Sequence, residues 1–116
     1  MTKTPTCPLE SDEQIMFVQK FRQQYVGVLI HSIPNGGLRQ AREALRLKNE
    51  GVVKGIPDLF IPEWSLWVEM KRQKGSSLST DQKEIISHLE DVGHKVIVGY
   101  GWQDALLKVN QFKENK

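Results

Sequence analysis

The chain has 116 residues, of which 39% are apolar and 26% charged, with a formal net charge of +2. That length supports one hydrophobic core and not two, and regularly spaced Val, Ile, Leu, Phe and Trp exclude an intrinsically disordered chain. No apolar run approaches the ~20 residues of a membrane span, nothing resembles a signal peptide, and the single Cys7 excludes an internal disulfide or a cysteine-based zinc site. The expectation is a reduced, cytoplasmic, single-domain protein with no membrane partner. Residues 1–9 carry two prolines without periodicity and read as a loose leader to a domain over residues 10–116.

Phe17, Val18, Phe21 and Tyr25 fall on one helical stripe, predicting a helix from Ser11 to about Tyr25 with Ser11 or Asp12 as its cap. The β-branched run Val26 to Ile33 predicts a strand, stopped by Pro34-Asn35-Gly36-Gly37. Leu38 to about Asn49 is rich in helix formers, and Gly51 is its stop. Ile56–Ile61 and Leu66–Met70 predict two short strands joined around Pro62-Glu63-Trp64-Ser65. A helix from about Thr80 to Val92 follows, with Ile85, Ile86 and Leu89 inward and Gly93 at its end. Lys95–Gly99 predicts a buried strand, and a last helix covers about Gln103 to Phe112. The third strand, the helix after it and the fourth strand form a right-handed crossover, giving an α/β fold with a mixed sheet flanked by helices.

The modest net charge hides an uneven distribution. Arg39, Arg42, Arg46, Lys48 and Lys54 lie between Gly36 and Gly55 against two acids, and Lys71, Arg72, Lys74 and Lys83 lie against Asp81 alone. Such segregation suits either one basic face for nucleic acid or ordinary solvated charge. Arg39, Arg42 and Arg46 recur at helical spacing, as a stripe of backbone-phosphate contacts would.

The hairpin carries the sharper signal. If its loop is even and centred between Glu63 and Trp64, Ile61 faces Leu66, Leu59 faces Val68 and Asp58 faces Glu69. Lys71, two residues past Glu69, then shares its side of the sheet. Two carboxylates and an ammonium converge. Carboxylates offer hard oxygens to Mg²⁺ or Mn²⁺, and the Met70 carbonyl is placed to add another. Such an ion polarises a phosphodiester and activates water, with Lys71 orienting that water or offsetting phosphate charge. The alternative is a cross-strand salt bridge, although like charges directly opposite each other are disfavoured without a counter-ion. His88 and His94 lack ligand spacing, His31 reads as structural, and the serines have no His-Asp partners.

The ordered set Ile33-Pro34-Asn35-Gly36-Gly37 with Arg39, Gly55-Ile56-Pro57-Asp58, Glu69-Met70-Lys71, and Leu78-Ser79 with Gln82 resembles the VRR-NUC family. That family is a branch of the PD-(D/E)xK nuclease superfamily found in phage and in repair enzymes, and the resemblance covers roughly residues 13 to 107. It implies a restriction-endonuclease-like αβββαβ core with an extra helix, of the minimal stand-alone kind. It also implies a Mg²⁺- or Mn²⁺-dependent DNA endonuclease with no small-molecule cofactor, acting as a homodimer on branched DNA such as four-way junctions. A flap, single-strand or duplex nuclease and a silent DNA-binding module are the alternatives.

Carried onto this chain, Asp58 and Glu69 match the metal ligands and Lys71 the catalytic lysine. Glu13 matches the acid of the first helix, with Glu10 as the other candidate. Gln82 matches the glutamine after the Glu-x-Lys strand, while also completing a Ser79-Thr80-Asp81-Gln82 capping box. Asn35 is implied near the phosphate, and Lys54, Arg72 and Lys74 join the basic surface. For a dimer interface the expected apolar residues are Trp64 at the hairpin tip and, in the last helix, Val109 and Phe112.

Overall fold

The protein is described by a computed structural model over residues 7–34 and 41–115. Its elements run α1 (Glu10–Gln24), β1 (His31–Ser32), α2 (Ala41–Asn49), β2 (Leu59–Ile61), a 3-10 turn (Pro62–Trp64), β3 (Leu66–Lys71), α3 (Thr80–Asp91), β4 (Lys95–Tyr100) and α4 (Trp102–Glu114). The four strands form one mixed sheet in the order β1-β2-β3-β4. β1 and β2 pair antiparallel, as do β2 and β3, while β3 and β4 pair in parallel across the α3 crossover. Among the described residues, no helix is long and apolar enough to cross a membrane.

The hairpin register follows from strand alternation. Leu59 faces Val68, Phe60 faces Trp67 and Ile61 faces Leu66, as an even loop centred between Glu63 and Trp64 requires. Leu59, Ile61, Leu66, Val68 and Met70 all point to one side, where they meet Phe17 and Phe21 of α1 and Ala105 and Val109 of α4. Burying each phenylalanine contributes about 2–3 kcal/mol. Gly99 lets α4 approach β4, since a Cβ there would lie 2.3 Å from that of Ala105.

Several boundaries differ from those read in the sequence. α1 starts at Glu10 behind Leu9, and neither Ser11 nor Asp12 caps it; both sit in a first turn whose acids complement the helix dipole. The stretch Val26–Ile33 contains only the two-residue β1, because Gly27 turns the chain at φ 85°. Leu29 N–H donates to the Glu63 carboxylate rather than to a strand. Its β-branched character reflects the burial of Ile30, not a ladder. Asn35 and Arg39 lie outside the described residues.

Trp64 is not an exposed tip. Its ring packs edge-on against Phe21 at 5.6 Å and Tyr25 at 5.0 Å, with Lys113 Nζ 4.3 Å from the ring centre. Val109 is fully buried, and Phe112 packs on the core from α4. The 3-10 turn folds the indole back against α1, and these three residues pack the helices on the hairpin.

Candidate active site

Asp58 enters the site from the bend before β2, directly after buried Pro57. Its Oδ2 accepts the Met70 N–H at 2.8 Å, which fixes it beside β3 where the ladder with β2 has ended. The Lys71 carbonyl turns the other way and accepts from Gly101 N–H. Backbone groups alternate along a strand, so the Met70 carbonyl is directed to the Asp58 side, as a further oxygen for a cation requires.

Glu69 is almost fully buried, at 1% exposure. Its Oε2 accepts from Gln82 Nε2 at 2.9 Å and lies 3.6 Å from Lys71 Nζ. Its Oε1 is buried without a hydrogen-bond partner among the described residues. Burial, reinforced by the Asp58 charge and opposed by Lys71, pushes the Glu69 carboxyl up to about 8. The Glu10 carboxyl is also raised, mainly by burial and further by Asp58, with Lys71 acting against the shift.

Carboxylate oxygens of Glu10, Asp58 and Glu69 all lie within 4.8 Å of one another. Three carboxylates beside one buried ammonium leave a net charge of −2 when ionised. An orphaned buried oxygen and an all-oxygen donor set fit a hard divalent cation such as Mg²⁺ or Mn²⁺. Zinc is a poorer match for the same donors, because no imidazole or thiolate joins the group.

The structure separates the two candidate acids of α1. Glu13 does point into the buried stripe with Phe17 and Phe21, as its spacing suggests. There it meets donors rather than a cation site: Oε2 accepts from Gln73 Nε2 at 2.7 Å and Oε1 from Trp102 N–H at 3.0 Å. It thereby caps α4 from outside, whose own N-cap residue Gly101 has no side chain to do so. Glu10, one turn earlier, is the acid that reaches Asp58 and Glu69. Gln82 meets both expectations at once. Its Oε1 accepts Ser79 N–H at 2.9 Å within the capping box, and its amide nitrogen holds Glu69.

The cluster opens into a cleft of about 1520 Å³ between α1, α2 and the sheet. Of the basic residues singled out, Lys54 lines that cleft and sits 3.5 Å from Asp81. Arg42 and Arg46 are exposed on α2 away from the cleft lining, and Arg46 pairs with Glu50 at 3.6 Å. Lys74 is exposed, while half-buried Arg72 donates to the Cys7 carbonyl. Arg22 and Lys48 line the cleft as well. Arg22 gives no signal in the sequence because α1 is read there for its apolar stripe.

Fold and site define a class: an α/β domain that gathers three carboxylates and a lysine where its central hairpin opens. Residues 3–103 match the model of the VRR-NUC domain, and the chain belongs to the VRR-NUC family of nuclease domains. A solved structure described as a VRR_NUC domain protein superposes with a TM-score of 0.76 at 23% identity, covering 94% of this chain and 91% of that one. The likeness establishes a common fold. No curated protein matches the chain.

Proposed function

We propose that this protein is a divalent-metal-dependent DNA endonuclease that acts on branched DNA, four-way junctions in particular, as a homodimer. The observation that carries the reading is the meeting of Glu10, Asp58 and Glu69 beside Lys71, with one Glu69 oxygen buried and unpartnered. When bound, Mg²⁺ or Mn²⁺ supplies Lewis-acid polarisation of the phosphodiester and a more acidic water. Glu10, Asp58, Glu69 and the Met70 carbonyl are the residues that hold it.

The remaining chemistry falls to neighbouring side chains. Lys71, 6% exposed and 3.6 Å from Glu69, orients the attacking water and offsets charge that develops on the phosphate. Gln82 holds the Glu69 carboxylate in place through Oε2. Lys54, Arg42, Arg46 and Lys74, with Arg39 and Asn35 on the segment before α2, contribute sequence-independent backbone contacts. Arg72 stiffens the chain after Lys71 through the Cys7 carbonyl.

Support for a homodimer comes from apolar side chains left in solvent beside the cleft. Ile15 is 55% exposed, Leu45 60% and Val53 49%, whereas Trp64, Val109 and Phe112 are engaged in the interior. Two copies about a two-fold axis would place two sites on a symmetric substrate.

The deciding experiment is a panel of labelled four-way junctions, flaps, linear duplexes and single strands incubated with Mg²⁺, Mn²⁺ or chelator. Metal-dependent cutting with preference for the junction is expected. Cutting that survives chelation, or its absence on every substrate, overturns the reading. Light scattering is expected to give about twice the 13.3 kDa of one chain. A mass that stays monomeric with and without DNA removes the argument for paired cuts.

A further inference from the structure

One row of rings lies outside the core. His31 on β1, Phe60 on β2 and Trp67 on β3 sit side by side across the sheet, and His94 at the entry to β4 closes against both Phe60, at 6.0 Å, and Trp67. Register aligns them: His31 pairs with Phe60 and Phe60 with Trp67. Ring centres are 6.0 Å apart from His31 to Phe60, 4.2 Å from Phe60 to Trp67 and 6.1 Å from Trp67 to His94. Trp67 has the parity of Lys71, whose carbonyl turns toward β4, so Phe60 and Trp67 form a non-hydrogen-bonded pair, the kind whose side chains approach closest.

None of the four belongs to the hydrophobic core or packs against it, unlike Trp64, Trp102 and Phe112. Phe60, Trp67 and His94 are half-buried, and His31 is exposed. An aromatic row held out of the core, with imidazoles at both ends, is an unusual way to finish a sheet face.

Its position relative to the acids gives it meaning. Trp67 and Glu69 are two residues apart on β3, so both project from the same face, separated by about 7 Å along the strand. The opposite face carries Leu66, Val68 and Met70 into the core. The row is therefore one step along the catalytic face from the carboxylate cluster.

The end groups are polar and complementary. Trp67 Nε1–H donates to His94 Nδ1 at 2.9 Å, which places the His94 ring proton on Nε2 as a donor. His31 Nδ1 lies 3.1 Å from the Ser32 carbonyl, an acceptor only, which puts that ring's proton on Nδ1 and leaves Nε2 accepting. Aromatic surface flanked by one donor and one acceptor suits a nucleobase, whose face stacks and whose edge carries both kinds of group. Fully paired DNA offers no free base face, so a duplex would gain nothing from it.

We infer that the His31–Phe60–Trp67–His94 row is a stacking platform for an unpaired nucleotide next to the scissile phosphate. The inference rests on the nuclease reading for the location of that phosphate, and within branched DNA it favours a branch point that leaves a base open to stacking.

The test uses Phe60→Leu, which keeps apolar bulk but removes the ring, and His31→Ala, which alters only an exposed side chain. Affinities for a single-stranded oligonucleotide, a forked DNA and a blunt duplex are measured by fluorescence anisotropy in Ca²⁺, and cleavage of the last two in Mg²⁺. Melting curves and light scattering accompany each variant. The expected result is a loss of about tenfold in affinity for single-stranded and forked DNA, with duplex affinity unchanged. Equal losses on all three DNAs, or no loss in either variant, overturn the platform. A change of mass without a change in selectivity also overturns it, and identifies the row as a contact between copies. If the wild type cuts no DNA yet its single-strand affinity depends on Phe60 and His31, the platform stands and the nuclease reading falls. If forked DNA is cut equally by wild type and variants, the nuclease reading stands and the platform falls.

Discussion

Replacing Glu69 with Gln is expected to abolish metal-dependent activity and, without metal, to make the protein more stable at alkaline pH. Glu69 is 1% exposed, faces the Asp58 charge and has its carboxyl raised from an ordinary 4.5 to about 8. The folded state therefore holds this proton more tightly than the unfolded chain. For a group raised in this way, stability is fully present below pH 4.5 and is lost as pH rises toward 8. At ~1.4 kcal/mol per pH unit, the gap bounds the loss at about 5 kcal/mol. That value already contains the opposing pull of Lys71 on the ionised form. The variant is therefore expected to gain stability at pH 8.5, by at most about 5 kcal/mol, and to melt several degrees higher. Thermal melts of both proteins in chelator at pH 4.5 and pH 8.5 measure it. Equal melting temperatures at the higher pH would refute the claim that a buried, repelled carboxylate strains the empty site.

Glu10→Gln should weaken Mn²⁺ binding in calorimetric titration by at least about tenfold while leaving the fold intact, because it removes a ligand from a partly exposed position. Glu13→Gln should instead leave metal affinity nearly unchanged and cost about 1–3 kcal/mol of stability in denaturant melts, since one of its two accepting oxygens becomes a donor. Lys71→Ala is expected to lose most cleavage activity yet still bind metal, and loss of both together would mean that the lysine shapes the ligands. Joint replacement of Arg42, Arg46 and Lys54 by Ala should lower the salt dependence of DNA binding by about one unit for each phosphate no longer neutralised, with no change in sequence preference; an unchanged slope means these side chains only face solvent.

The carboxylate-bearing hairpin was legible because side-chain direction in a strand is a matter of odd and even counting. Once Ile61 faces Leu66, Asp58 and Glu69 are brought level and Lys71 joins them. A helix offers no such certainty. Glu10 and Glu13 are both acids in the first turn of α1, and their roles depend on how the helix is rotated against the sheet and on where α4 begins, which are tertiary facts. Trp64 and Phe112 are ambiguous in the same way, since amphipathic aromatics at a turn or helix end read equally well as surface or clasp. The ring row was hidden for a different reason. Its four members come from four separate segments, and only the register of β1, β2 and β3 shows that they stand together.

Gln82 gives the site a second reporter. The same amide that grips Glu69 Oε2 closes the capping box at the start of α3, so one side chain serves two masters. Whatever fixes Glu69 on a cation also steadies, through Gln82, the first turn of a helix that contributes no carboxylate to the cluster. Amide hydrogen exchange at Ser79 and Gln82, whose N–H groups close the box, then becomes a remote gauge of occupancy, slowing when the carboxylates are neutralised and quickening when the ion is withdrawn. Fraying of that turn and emptying of the site become a single linked equilibrium, readable from either end.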